Sequence, residues 1–111
     1  KSKQYAKAIE IYVNMINNDR TNYFPYYQIG VIYMKKNNFK RAEEYFRQAL
    51  IYKPDDPEIL TSLGDSCLYQ RNIEDAEVAY LEAYNKARSV LLKEEAKLKL
   101  DKVRIKLIQN N

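Results

Sequence analysis

The chain has 111 residues, of which 46% are hydrophobic and 13% aromatic, enough for a folded core and too apolar for a disordered segment. No run reaches the roughly 18 to 20 apolar residues a membrane span needs, and the opening KSKQYAKAIE has no secretory apolar stretch. Of the net charge of +4, all the excess lies at the end: residues 88–111 carry Arg88, Lys93, Lys97, Lys99, Lys102, Arg104 and Lys106 against Glu94, Glu95 and Asp101.

Apolar periodicity predicts helices at 3–18, 23–36, 39–52, 57–70, 73–87 and 90–109, without strands. Tyr5, Ala8, Tyr12 and Met15 mark one face of the first. Tyr26, Ile29, Gly30 and Tyr33 mark the second, which the pair Asn37 and Asn38 ends because asparagine tolerates left-handed backbone. Phe39, Ala42, Phe46, Ala49 and Leu50 mark the third, with Pro54 beyond its stop; Asp56 then supplies an N-cap and Pro57 the first helical position of the fourth. Leu60, Leu63, Gly64 and Cys67 give the fourth face, Asn72 the next turn, and Ala76, Tyr80 and Ala83 the fifth. Leu92, Ala96, Leu100, Val103 and Leu107 line a long last helix whose other apolar residues, Leu91, Leu98, Ile105 and Ile108, exceed what a simple cap requires.

These residues recur at a fixed interval of 34: Ala8, Ala42 and Ala76; Tyr12, Phe46 and Tyr80; Met15, Ala49 and Ala83; Gly30 and Gly64. A helical glycine costs about 1 kcal/mol relative to alanine. Its recurrence predicts a close helix crossing in which Ala42 or Ala76 approaches the glycine and the aromatic rings fill the space beside it. Cys67 stands where the first unit has Tyr33 and is expected to be a buried thiol. The chain opens part-way through a unit and without Met, so it reads as a piece of something longer, and its first helix is expected to leave apolar surface through which two copies could pair.

Residues 23–56 resemble a tetratricopeptide repeat, whose signature runs W-x2-L-G-x2-Y, then A-x3-F-x2-A, then P. Tyr26, Ile29, Gly30, Tyr33, Ala42, Phe46, Ala49 and Pro54 stand at the matching positions. Residues 57–90 match through Leu60, Leu63, Gly64, Ala76, Tyr80 and Ala83, with Cys67 for the aromatic and Arg88 for the proline. The resemblance implies an all-α solenoid of antiparallel helix hairpins: a second helix of a repeat at 1–22, full repeats at 23–56 and 57–90, and an amphipathic capping helix at 91–111. It also implies a concave groove lined by Phe24, Tyr27, Val31, Met34 and Lys35, then by Glu58, Thr61, Asp65, Leu68 and Tyr69. Tyr27, Val31 and Met34 lie at i, i+4 and i+7, a stripe separate from the Tyr26, Ile29, Gly30 and Tyr33 face. Members that grip a chaperone's C-terminal tail hold its carboxylate with Lys, Asn and Arg. Gln28, Glu58 and Ser62 stand here where those members have Asn, Lys and Arg respectively, so no chaperone tail is expected.

The function implied is a non-catalytic protein-interaction scaffold that holds a peptide or helix of a partner protein. The chain has no histidine, which removes the commonest general base and any zinc site built from Cys and His, and it has no glycine-rich phosphate loop. No catalytic residue, cofactor or metal is therefore expected. The single cysteine fits a reducing, cytoplasmic setting. The alternative is a module for RNA or an anionic surface, acting through the basic last helix. Nucleic acid is the weaker of the two because Tyr12, Tyr26, Tyr33 and Tyr80 already occupy packing positions.

Overall fold

The structure, a computed structural model, describes residues 2–110. Six α-helices account for most of them: α1 (Ser2–Asn18), α2 (Tyr23–Lys35), α3 (Phe39–Tyr52), α4 (Pro57–Tyr69), α5 (Ile73–Lys86) and α6 (Val90–Gln109). No strand is found among the described residues. The chain divides into two compact units, one ending at Pro54 with α1 to α3 and one beginning at Asp55 with α4 to α6.

Local chemistry explains the boundaries. Each helix after the first begins on a short polar side chain that accepts a backbone N–H otherwise left without a partner. Asn22 Oδ1 accepts from Phe24, Asn38 Oδ1 from Arg41, Asp56 Oδ1 from Glu58 and Ile59, Asn72 Oδ1 from Asp75, and Ser89 Oγ from Leu92. Pro57 opens α4, where its missing N–H costs nothing. The left-handed residue of each hairpin turn stands one place before the cap. It is Asn37 (φ 60°) in the first unit, as expected, but Arg71 (φ 65°) in the second, where Asn72 serves as N-cap instead.

In the first unit α2 packs on α1 and α3. Its core is Tyr26, Ile29, Ile32, Ala42, Phe46 and Ala49. Aromatic pairs flank that core. Tyr26 stacks on Tyr52 at 5.6 Å and donates its hydroxyl to the Arg20 carbonyl at 2.9 Å; Tyr33 stacks on Tyr45 at 5.8 Å beneath the Arg41 guanidinium. Helix α1 has no fully buried residue, and Ile11 and Val13 are exposed on it. In the second unit α5 packs against both α4 and α6. Ile59, Leu60, Leu63, Cys67, Ala76, Ala79, Tyr80 and Ala83 are buried there, together with Ala96, Leu100 and Val103 of α6. Leu91, Leu98, Ile105 and Ile108 lie exposed on the far side of α6.

The glycines work differently from the expectation that an alanine would approach them. A Cβ on Gly30 would lie 2.5 Å from Cε1 of Phe46, and one on Gly64 would lie 2.6 Å from Cδ1 of Tyr80. The close neighbour is thus the aromatic ring itself, seated flush on the facing helix. Cys67 is buried as expected, a packing position.

Because both rings are enclosed, neither can swing aside for an added methyl. Gly30→Ala should gain about 1 kcal/mol of helix propensity yet lose more through overlap, for a net loss of about 1–3 kcal/mol. A melting temperature equal to or above that of the parent protein would contradict this contact.

Candidate functional site

The expected partner surface falls into two stripes, one in each unit. On α2 they are not equally available. The Phe24 ring meets Tyr12 of α1 edge-on at 6.1 Å, and the Tyr27 ring lies tilted against Phe46 at 5.7 Å. Tyr27 therefore braces the ring that sits on Gly30. Val31 and Met34 are half-buried, and Lys35 is exposed at the last turn of the helix.

On α4, Thr61 and Leu68 are half-buried, Glu58 is exposed, and Tyr69 is 63% exposed. Asp65 is not a spare orienting charge. Its Oδ1 accepts from the Tyr80 hydroxyl at 2.5 Å, and both its oxygens accept from Lys99 Nζ of α6 at 2.9 Å. Asp65, Leu68, Tyr69, Tyr80, Lys99 and Lys102 together bound a concavity of about 230 Å³. Leu68 and Tyr69 also line a larger cleft of about 670 Å³, whose other walls come from the α4–α5 turn and the end of α6.

The repeat interval explains the Asp65 cluster. Asp65 is the equivalent of Val31, and Tyr80 that of Phe46, so an apolar pair in the first unit becomes a hydrogen-bonded pair in the second. Lys99 stands one further interval on and answers the carboxylate. Sequence spacing could have disclosed this, since a charge introduced at a half-buried register position needs a partner. Burial, followed by the hydrogen bond to Asp65, drives the ionisation of the Tyr80 hydroxyl well upward, so it remains a donor. Ser66 is a second buried polar group that the periodicity missed. It donates to the Leu63 carbonyl at 2.7 Å, a bond within its own helix.

Many of the aromatic and basic residues have internal partners. Tyr23, Tyr33, Tyr45 and Tyr84 lie beneath Lys53, Lys36 with Arg41, Arg41, and Lys93 respectively. On α6, Lys97 pairs with Asp101 at 3.2 Å and Arg104 with Glu77 at 3.0 Å. Among the described residues, no helix is long and apolar enough to cross a membrane.

Comparison with known proteins agrees with this architecture. The profile of the tetratricopeptide repeat family matches residues 27–89. The cell division cycle protein 16 homologs of Homo sapiens and Mus musculus are each 28% identical over 87 residues, 78% of this chain but 14% of their own length. Among solved structures, PcrH in complex with the chaperone binding region of PopD superposes with a TM-score of 0.86 at 14% identity, covering 95% of this chain and 82% of that one. The Yersinia enterocolitica type III secretion chaperone SycD, in complex with a peptide of the translocator YopD, gives 0.84 at 15% identity over 95% and 83%. The likeness shows the fold, an all-α helical-repeat solenoid.

The Asp65 cluster has a measurable signature. Tyr80→Phe should cost about 1–2 kcal/mol and Asp65→Val about 2–3 kcal/mol. The double variant restores the apolar pair of the first unit, so in urea titrations it should cost less than their sum by about 0.5–3 kcal/mol. The pH dependence has a definite sign. The folded chain holds the Tyr80 proton to higher pH than the unfolded chain, whose tyrosines titrate near 10. Stability from this group is therefore complete below about pH 10 and declines as the pH rises further, and Tyr80→Phe should flatten that decline.

Proposed function

The chain belongs to the tetratricopeptide repeat family, and from that premise we propose that it is a non-catalytic scaffold that holds a segment of a partner protein. The observation that carries the proposal is on α4, where Tyr69 is 63% exposed at the mouth of two concavities that share Leu68. A large amphipathic ring in that setting has area to offer a partner and little entropy to lose on binding. The peptide-bound PcrH and SycD relatives support the same use of the fold. The partner-facing residues proposed are Leu68 and Tyr69 on α4, with Thr61 about two turns before them, and Val31, Met34 and Lys35 on α2. Phe24 and Tyr27 contribute area at the edge of the α2 stripe, each with one face already covered.

Internal pairing disfavours the nucleic-acid alternative. Of the six basic residues of α6, Lys97, Lys99 and Arg104 are neutralised by carboxylates. A chaperone's C-terminal tail is likewise disfavoured, because the exposed carboxylate of Glu58 would repel the tail's own.

Separating binding from stability tests the reading. Tyr69→Ala should leave the melting temperature within about 2 °C of the parent, since so little of the ring is enclosed, while weakening partner capture by about 1–3 kcal/mol. Tyr27→Ala should instead destabilise the first unit by about 2–4 kcal/mol through lost support of Phe46. A photo-crosslinking side chain at Tyr69, introduced in cells, should trap a protein, and the same group at exposed Glu74 should not. Equal trapping at both sites, or none at Tyr69, would end the proposal.

A second reading concerns α1, whose lack of any fully buried residue leaves Ile11 and Val13 in water. Self-association of two copies through the Ile11 side of the helix would cover that residue, while Val13 points away from it. Light scattering across a wide concentration range should then show a dimer that Ile11→Lys abolishes; a monomer throughout would dismiss it.

A further inference from the structure

The larger cleft of the second unit has a chemical character that the rest of the chain does not use. Its apolar lining is half-buried Leu68 near the end of α4 and Ile73 at the start of α5, with the exposed Tyr69 ring at its mouth. Its rim is cationic, with Arg71 from the turn and Lys106 from α6, and the amides of Gln109 and Asn110 stand beside them. Lys102 extends the cationic rim along the adjoining concavity, which shares Leu68 and Tyr69.

Three observations single out this rim. First, Arg71, Lys102 and Lys106 have no ion pair among the described residues, whereas Lys86, Lys97, Lys99 and Arg104 of the same unit each face a carboxylate. Secondly, the one carboxylate among the described residues lining these two concavities is Asp65, and Lys99 and Tyr80 already hold it. Thirdly, Arg71 issues from a turn fixed by backbone bonds, from Gln70 N and Asn72 N to the Cys67 carbonyl and from Arg71 N to that of Leu68, at 3.1, 2.9 and 2.9 Å. That position has φ 65°, and the first unit fills its equivalent with the more tolerant Asn37. A permanent cation is thus held in costly backbone at the mouth of an apolar cleft.

We infer that this cleft receives an acidic segment of a partner protein, in which one large apolar or aromatic side chain enters between Leu68, Tyr69 and Ile73 while flanking Asp or Glu side chains meet Arg71, Lys106 and Lys102. Arginine suits this role because its planar fork pairs with a carboxylate through two parallel hydrogen bonds. A nucleic acid fits the same cations less well. Leu68 and Ile73 give a base neither a stacking plane nor a hydrogen bond, and Tyr69 is a single ring. The inference rests on the partner-segment reading and adds the chemistry of the segment.

The test uses the full chain and fluorescence anisotropy with four labelled probes. They are a short peptide carrying Phe and Leu among Glu and Asp, the same peptide with Lys for every acid, the same peptide with Ser for every apolar residue, and an oligouridylate. The parent protein should bind the first probe, with affinity that declines moderately with salt, and should bind the other three at least about tenfold more weakly. Arg71→Glu combined with Lys106→Glu should lose the acidic probe by about tenfold or more and gain the lysine-bearing one, with the helical circular dichroism signal unchanged. Several results would overturn the inference: no binding of the acidic probe by the parent, equal binding by the variant, or equal binding of the serine probe or the oligouridylate. Loss of stability without loss of binding would also do so, by assigning the cations to the helix ends alone. If the acidic probe fails while the crosslinker at Tyr69 still traps a protein, the scaffold reading stands and the acidic chemistry falls; if both fail, both fall.

Discussion

Each hairpin of this protein depends on one contact, an aromatic ring of the second helix packed directly against a glycine of the first. Phe46 on Gly30 and Tyr80 on Gly64 leave no room for even a methyl group. The contact sets how closely the helices cross and fixes their register, because a shift of one residue would bring a side chain under the ring. Glycine is unfavourable in a helix by about 1 kcal/mol relative to alanine. A buried aromatic side chain contributes more than that, roughly 1.5–3 kcal/mol, so the exchange is favourable wherever the ring stays enclosed. The small residues Ala42, Ala49, Ala76 and Ala83 then allow the rest of each second helix to lie close without overlap.

On this shared frame the two units have diverged in polarity. The first keeps Val31 and Phe46, a pair that needs only to be dry. The second substitutes Asp65 and Tyr80 at the same register positions and must satisfy them, which it does by drawing Lys99 from α6. The bridge is partly exposed, so its Coulomb energy is modest. Its structural effect is directional: it fastens α6 to α4 at a defined point, in addition to the apolar burial of Ala96, Leu100 and Val103. Using Asp65 in this way ties its carboxylate to the fold, while Leu68 stays half-buried and Tyr69 exposed at the end of α4.

The sequence disclosed whatever is decided locally. Helix spans emerged within a residue or so because apolar spacing, Asp56 with Pro57, and the asparagines of the turns act on their own neighbours. Core positions repeated by the interval, such as Ile29, Ala42 and Ala83, were equally visible. What the sequence left ambiguous depends on which side chains meet across space. Periodicity could assign a glycine to a crossing but could not tell an approaching alanine from an approaching ring. It set Tyr27 on a stripe apart from the packing face, yet could not show that the ring leans on Phe46 of the core. It read Asn72 as the left-handed residue because asparagine is the easier occupant, whereas cap geometry gave that conformation to Arg71.

The distribution of tyrosine sharpens the functional argument. Eleven tyrosines in a short chain could be taken as a binding composition, since the residue is favoured at interfaces. Within the hairpins most of them have another explanation: Tyr26 stacks on Tyr52, Tyr33 on Tyr45, and Tyr23 and Tyr84 lie beneath lysines. A ring with one face occupied can still lend area to a partner, but removing it disturbs the fold as well, so its contribution to binding cannot be read alone. Tyr69 differs because it stands mostly in water where an apolar floor and unanswered cations converge. Composition offers many tyrosines for recognition; the internal contacts of the others set the Tyr69 ring, 63% exposed at the end of α4, apart from them.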